Sequence, residues 1–142
     1  MMQSAAILTQ NADLVEEVLN ALRADPGLQD ALGTPARIFD TETEAAAFPY
    51  IVLERYQRTD TSVSQAVCAE HSLQFVSFSD YGGQVEAKRL LSRLRLALQR
   101  MQISPAGQNV VLVHPAFSDV MRTRNPQISR GLLRVRIHTE EI

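Results

Sequence analysis

The sequence has few of the residues that catalytic and metal-binding sites usually need. Cys68 is the only cysteine among 142 residues, so an intramolecular disulfide and a cysteine-rich zinc site are both excluded. The six glycines form neither a GxGxxG fingerprint nor a P-loop, which removes the usual phosphate cradles of dinucleotide and nucleoside triphosphate sites. The histidines, His71, His114 and His138, match no metal-binding spacing. We therefore expect no catalytic residue, no cofactor and no metal.

Long apolar runs are also missing. Hydrophobic residues make up 45% of the chain and charged residues 21%, close to the average of globular proteins. No segment reaches the roughly 20 apolar residues that a membrane-spanning helix needs. The first ten residues lack the basic region and the apolar core of a signal peptide. The sequence predicts a single domain, residues 1–142, that is made in a cytoplasm and kept there or assembled there into a particle, without a membrane partner.

Acidic and basic residues are unevenly distributed along the chain. Residues 1–85 contain 12 acidic and 4 basic residues, a balance of −8, whereas residues 86–142 contain 4 acidic and 10 basic residues, a balance of +6. Two interpretations stay open. The chain presents an acidic and a basic face that pair head-to-tail between copies, or the folded surface mixes the two signs.

Hydrophobic periodicity predicts two main helices. The first ends at Asp25-Pro26, where Asp25 is placed to cap a short turn from Pro26 to Leu32. Its apolar stripe is Leu8, Ala12, Val15, Leu19 and Leu22. The second helix follows a breaker at Tyr81-Gly82-Gly83 and is predicted to end near Ile103, with the stripe Ala87, Leu90, Leu91, Leu94, Leu98 and Met101.

Alternating apolar and polar residues predict strands over 37–40, 50–58 and 70–79, and two or three further strands over 109–114, 116–124 and 131–139. Pro115 indicates a bulge or an edge strand. Residues 41–47 read as an acidic connector, and 57–69 as a long polar loop without glycine or proline. This order of elements implies an α+β fold, with a mostly antiparallel sheet and the two main helices packed on one face.

The remaining polar residues favour ordinary structural roles. Cys68 lies in a polar stretch and is interpreted as a spectator thiol. His71 is expected to form a local hydrogen bond beside Glu70, and His138 to be solvated. The last strand could contact a phosphate backbone through its arginines, but it has no aromatic residue on which a base would stack.

The order of these segments resembles the tail-terminator, or tail-completion, family of long-tailed (siphovirus-type) phages and gene transfer agents. The resemblance covers nearly the whole chain. The segments that carry it are Ala21-Leu22-Arg23-Ala24-Asp25, Arg37-Ile38-Phe39-Asp40, Phe48-Pro49-Tyr50-Ile51-Val52-Leu53, Thr59-Asp60-Thr61-Ser62, Glu70-His71-Ser72-Leu73, Glu86-Ala87-Lys88 and Gly131-Leu132-Leu133-Arg134-Val135-Arg136. The chain departs from many relatives in having Thr61 where they have an aromatic residue, and in lacking tryptophan.

The resemblance implies a structural virion protein located at the head–tail interface. Such proteins form a ring, usually of six subunits, that sits on the last layer of the tail tube and stops its growth. The ring joins the tail to the head stopper or adaptor protein, and DNA passes through its lumen without sequence-specific binding. The implied partners are therefore further copies of the chain, the tail-tube protein and the stopper protein, and no enzymatic activity is implied.

Two groups of residues are candidates for these contacts. The first belongs to the polar loop and would meet the tail tube or a neighbouring subunit: Arg58, Thr59, Asp60, Thr61, Ser62 and Ser64. The second would pair with the acidic half of the next subunit: Arg122, Arg124, Arg134 and Arg136. Three alternatives stay open, namely a head-closure or adaptor protein of the same joint, a nucleic-acid-binding module and, least supported by motifs, a small hydrolase.

Overall fold

Three helices lie against one face of a five-stranded sheet in the computed structural model, which describes residues 2–41, 47–80 and 84–142, with side chains from residue 13 onward. The helices are α1 (Met2–Arg23), α2 (Pro26–Leu32) and α3 (Val85–Arg100). The strands are β1 (Ile38–Phe39), β2 (Tyr50–Asp60), β3 (Cys68–Ser79), β4 (Gln108–Arg122) and β5 (Ser129–Glu141). The predicted α+β class, with helices on one face of a mostly antiparallel sheet, is confirmed.

The strand order is β1-β2-β3-β5-β4, and every pairing is antiparallel except that of β1 with β2. The parallel pairing is short, because only Ile38 and Phe39 contribute to it. Within the described residues, the outer edge of β2 beyond Val52 therefore has no strand beside it. The other edge of the sheet is β4, which pairs with β5 on its inner side over most of its 15 residues.

The core lies between α3 and the inner face of the sheet. Leu133, Val135 and Ile137 alternate along β5 and are fully buried, as their spacing in the sequence predicts. They face a helix whose predicted apolar stripe is confirmed from Ala87 to Leu98. Burial of each large aliphatic side chain contributes about 1.5–3 kcal/mol, so this layer dominates the stability of the fold.

Helices α1 and α2 complete the same layer. The carboxylate of Asp25 accepts a hydrogen bond from the Leu28 backbone nitrogen at 3.1 Å and caps α2, as predicted. On α1 the buried stripe is centred on Leu14, Val18 and Leu22, slightly rotated from the predicted one, whose members Leu8 and Ala12 lie outside the described side chains. No helix in the described part of the chain combines the length and the hydropathy that crossing a membrane requires.

The predicted long loop over 57–69 is wrong. Strand β2 continues to Asp60 and β3 begins at Cys68, so only residues 61–67 connect them. The ladder pairs Arg58 with His71, and Asp60 with Ala69. Apolar alternation fades here because the outer part of β2 is largely exposed, and backbone hydrogen bonds hold the strand without it.

The extended segments predicted on either side of Pro115 form one strand, β4, so two strands rather than three close the chain. The ladder is irregular between Val110 and Leu112 and again between Pro115 and Phe117, so the predicted bulge at this edge is confirmed.

Helix α3 ends at Arg100 rather than near Ile103, because Met101 is already extended. Met101 and Ile103 leave the helix and pack against the core. Residues 42–46 of the acidic connector and the breaker at 81–83 lie outside the described residues.

Candidate assembly interface

The β2–β3 hairpin carries all six residues of the first candidate group. They do not form one loop, because three of them end strand β2 and three lie in the connection: Arg58, Thr59 and Asp60, then Thr61, Ser62 and Ser64. The structure therefore brings this group together at one end of the sheet, on two hydrogen-bonded strands and the connection between them.

Hydrogen bonds order the tip of this hairpin. The Asp60 carboxylate accepts a bond from the Ser62 backbone nitrogen at 2.8 Å, and the Ser62 hydroxyl accepts one from the Cys68 nitrogen at 3.0 Å. Val63 and Ala66 close the tip by exchanging two backbone hydrogen bonds. Bonding from the Ser62 side chain and backbone lowers the pKa of Asp60, so this exposed carboxylate stays charged near neutral pH.

The tip also exposes two apolar side chains that sequence reasoning missed. Val63 is 69% exposed and Val67 is 50% exposed. Most of the other residues in this connection are Ser, Thr and Gln, so the composition of the segment concealed the two valines. Together with Asp60 they give the tip an apolar end beside a negative charge.

A buried polar chain supports the base of the hairpin. The Tyr56 hydroxyl lies 2.6 Å from His71 Nδ1, and His71 Nε2 lies 2.9 Å from the Thr139 hydroxyl. Burial, with lesser contributions from Arg58 and His138, lowers the pKa of His71 to about 4. The imidazole is therefore neutral at pH 7, so one ring nitrogen donates and the other accepts in its bonds with the Tyr56 and Thr139 hydroxyls. Burial also raises the pKa of Tyr56 to about 12, which keeps its hydroxyl proton in place.

The local hydrogen bond expected for His71 is wrong, because its side-chain partners, Tyr56 and Thr139, are distant in the sequence. Neighbouring residues of a strand point to opposite faces, so His71 faces the helices while Glu70 faces away from them. The Glu70 carboxylate instead lies 3.7 Å from Arg136 and 3.6 Å from His138 on β5.

Arg134 and Arg136, from the second candidate group, lie in the middle of the helix-free face of the sheet. Arg134 donates to the Gln74 side-chain oxygen at 3.0 Å, and its guanidinium carbon lies 5.7 Å from the centre of the Phe117 ring. Arg136 is the partner of Glu70. Both arginines thus have partners within their own subunit.

Arg122 and Arg124 lie elsewhere. Arg122 ends β4 and pairs in register with Ser129, and Arg124 follows in the β4–β5 connection. This is the end of the sheet opposite the β2–β3 hairpin, and within the described residues neither arginine has an ion-pair partner. The four arginines do not form one site.

Part of the uneven charge distribution is used for ion pairs inside the subunit. Among the described residues, each arginine–carboxylate pair joins a carboxylate from residues 1–85 to an arginine from residues 86–142. These pairs are Asp30 with Arg93, Asp25 with Arg100, Glu54 with Arg130, and Glu70 with Arg136. The structure favours the interpretation in which the surface mixes the two signs.

The described side chains include no cluster of three or more His, Cys, Asp or Glu residues that could hold a metal ion. Cys68 is a free, half-buried thiol at the start of β3.

The sequence matches the family described as "Tail completion protein gp17" over residues 16–140. The fold is similar to that of a chain in a structure titled "Virion of native gene transfer agent (GTA) particle", with a TM-score of 0.76 at 22% identity. That similarity covers 87% of this chain and 91% of the virion chain. No curated protein matches the sequence. The chain belongs to the gp17 family of tail completion proteins, which are structural components of virion tails.

Proposed function

We propose that this protein forms a ring, of six subunits, on the last layer of a phage-type tail tube. The ring stops growth of the tube and joins the tail to the head stopper protein, and DNA passes through its lumen without sequence-specific contacts. The observation that carries this proposal is the family match across residues 16–140, which includes the whole sheet except its last residue. The shared fold with a chain of a virion particle supports it.

The shape of the subunit is suited to contacts between copies. The β2–β3 hairpin ends in the exposed Val63 and Val67, and in the described residues both outer strands of the sheet have a free edge. A subunit whose projecting and receiving surfaces differ makes heterologous contacts. Such contacts form a closed ring when the rotations between successive subunits add up to a full turn.

The second candidate group divides into two roles under this proposal. Arg122 and Arg124 are free to pair with a carboxylate of another protein, since no described residue of their own chain pairs with them. Arg134 and Arg136 act first within the subunit, where they join β5 to β3. We propose a structural role without catalysis for the whole chain.

The direct test is tube growth in the presence of the purified protein. The tail-tube protein of the same particle is polymerised with and without this chain, and electron microscopy measures tube length and the density at each tip. We expect shorter tubes with a ring at one end only. Heat-unfolded protein at the same concentration is the control for nonspecific effects.

Two of the alternatives are distinguished by the tube-growth experiment together with binding measurements. Unchanged tubes with bare ends would remove the terminator proposal, and binding to portal protein would then indicate a head-closure or adaptor protein. A nucleic-acid-binding module would bind DNA as an isolated monomer, with an affinity that falls steeply as salt rises.

A further inference from the structure

A groove lies at the end of the sheet opposite the β2–β3 hairpin. It is bordered by α2, by the first turns of α3 and by the residue that precedes β2, and has a volume of about 290 Å³. Its described lining residues are Ala31, Pro49, Val85, Glu86, Arg89, Leu90 and Arg93. Most of the wall is apolar, so an apolar side chain would be needed to fill the groove.

The charged residues of the groove differ in their availability. Arg93 donates to the Gly27 carbonyl at 2.8 Å and to Asp30 at 2.9 Å, and Glu86 accepts from the Ser79 hydroxyl at 2.5 Å. Arg89 is exposed, and no described residue forms an ion pair with it. The groove thus offers an apolar wall, formed partly by the 57% exposed Val85, beside one available positive charge.

The hairpin tip has the complementary features. Val63 and Val67 project from it, and the Asp60 carboxylate stays charged beside them. Strand β2 begins directly after Pro49 and runs 11 residues to the tip, a distance of roughly 36 Å at about 3.3 Å per residue. The tip of one copy cannot reach its own groove, but it can reach that of another copy.

We propose that the β2–β3 hairpin tip of one subunit docks in the α2–α3 groove of the next. Val63 enters the apolar part of the groove beside Val85, and Asp60 faces Arg89. The contact is heterologous, so every subunit uses both surfaces. This inference rests on the proposed ring, for which it names the two surfaces that join neighbouring copies.

Cysteine cross-linking tests the contact. In a Cys68→Ser background, one preparation carries Val63→Cys and a second, with a different tag, carries Val85→Cys. Both positions are exposed, and circular dichroism checks that each variant folds. The two are mixed, then oxidised both in concentrated solution and after addition to growing tail tubes. The matched control replaces Val63→Cys with Val111→Cys, because Val111 is 63% exposed but lies on edge strand β4.

We expect a heterodimer of the Val63→Cys and Val85→Cys chains, in at least about tenfold higher yield than with the Val111→Cys control, because docking raises the effective concentration of the two thiols. Adding Arg89→Glu to the Val85→Cys chain should lower the yield, and Arg89→Lys should preserve it.

Failure of this inference is distinguishable from failure of the proposed function. Tubes capped normally but without cross-linking above the control would overturn the hairpin–groove contact and leave the ring standing. If the tubes stay uncapped but specific cross-linking occurs in solution, the hairpin–groove contact is supported and the terminator proposal is overturned. Absence of cross-linking under both conditions overturns the inference whatever the tubes show.

Discussion

At the scale of single residues, two buried polar groups are the most informative. His71 is 1% exposed and is held neutral between Tyr56 and Thr139. Ser77 has a buried hydroxyl without a hydrogen-bond partner among the described residues. A buried group that must stay neutral reduces stability at low pH, and a buried group that lacks a partner reduces stability at any pH; both effects can be measured.

His71 should make the stability of the protein depend on pH. Its pKa is about 4 in the folded chain and about 6.5 when exposed, so the unfolded chain binds an extra proton between these values. Its contribution is complete above pH 6.5 and is lost as the pH falls towards 4, by up to roughly 3 kcal/mol. Denaturant unfolding from pH 7.5 to 4.5 measures this loss.

The variant His71→Gln isolates the effect from that of the carboxylates. Glutamine keeps polar atoms near Tyr56 and Thr139 but does not titrate, while Arg58 and His138 remain in place. The variant is expected to be less stable at pH 7.5 and to lose less stability than the wild type on acidification. Parallel curves for the two proteins would contradict this assignment.

Gly131 and Ser77 should be energetically coupled. A Cβ atom at position 131 would lie 2.4 Å from the Ser77 hydroxyl oxygen and 3.1 Å from Leu91 Cγ, both in the buried layer under α3. Gly131→Ala should therefore destabilise the protein by about 1–3 kcal/mol, as overpacking does. Urea unfolding of the variant checks this value.

The matched variant is Ser77→Ala, alone and combined with Gly131→Ala. Alone it removes an unpartnered buried hydroxyl and should be neutral or stabilising. In combination it should recover part of the stability that Gly131→Ala loses, because the shortest contact disappears. Strict additivity of the two changes would show that the close approach to Ser77 does not limit this position.

At the scale of elements, the sequence predicts where a helix or strand begins when one side chain fixes that position, as a capping residue does. Asp25 caps α2 and, across the fold, also lies 3.0 Å from Arg100 near the end of α3. One residue thus begins one helix and joins it to another. The hairpin boundary has no such signal, since pairing with β5 and β2 decides where β3 begins.

Asp25→Ala should cost about 1 kcal/mol through loss of the cap, with a further small loss from the exposed ion pair. Asp25→Asn should cost less, because asparagine also caps helices well. Thermal unfolding compares the two variants with the wild type. Equal losses for alanine and asparagine would show that the contact with Arg100, and not the cap, is what Asp25 contributes.

At the scale of the whole molecule, the folded structure changes how the charge distribution along the chain is interpreted. The acidic first part and the basic second part suggested contacts between copies, yet the described ion pairs join these parts within one subunit. Among the charges without a described ion-pair partner, some lie at the two ends of the sheet. Arg122 and Arg124 are at one end and Asp60 is at the other.

Charge reversal at the two pairs of arginines should therefore give different results. Arg122→Glu with Arg124→Glu should reduce tube capping and leave the unfolding midpoint of the subunit nearly unchanged. Arg134→Glu with Arg136→Glu should lower that midpoint as well, because it removes contacts with Gln74 and Phe117 and places a like charge beside Glu70. Chemical unfolding and tube-length measurements on both double variants separate these effects, and normal capping by both would remove the arginines from the interface.

The class of fold, the buried faces of α3 and β5, the cap of α2 and the bulge at Pro115 could be predicted from the sequence, because each depends on spacing or on a property of one residue. Together with the order of its segments, the sequence also indicated the family. The folded chain was needed to show that residues 57–60 belong to a strand, that His71 and Glu70 lie on opposite faces of the sheet, and that Arg134 and Arg136 have partners in their own subunit. These outcomes depend on strand register and on which residues meet across the sheet. Such long-range contacts produce no periodic pattern of residues that could be recognised in a single sequence.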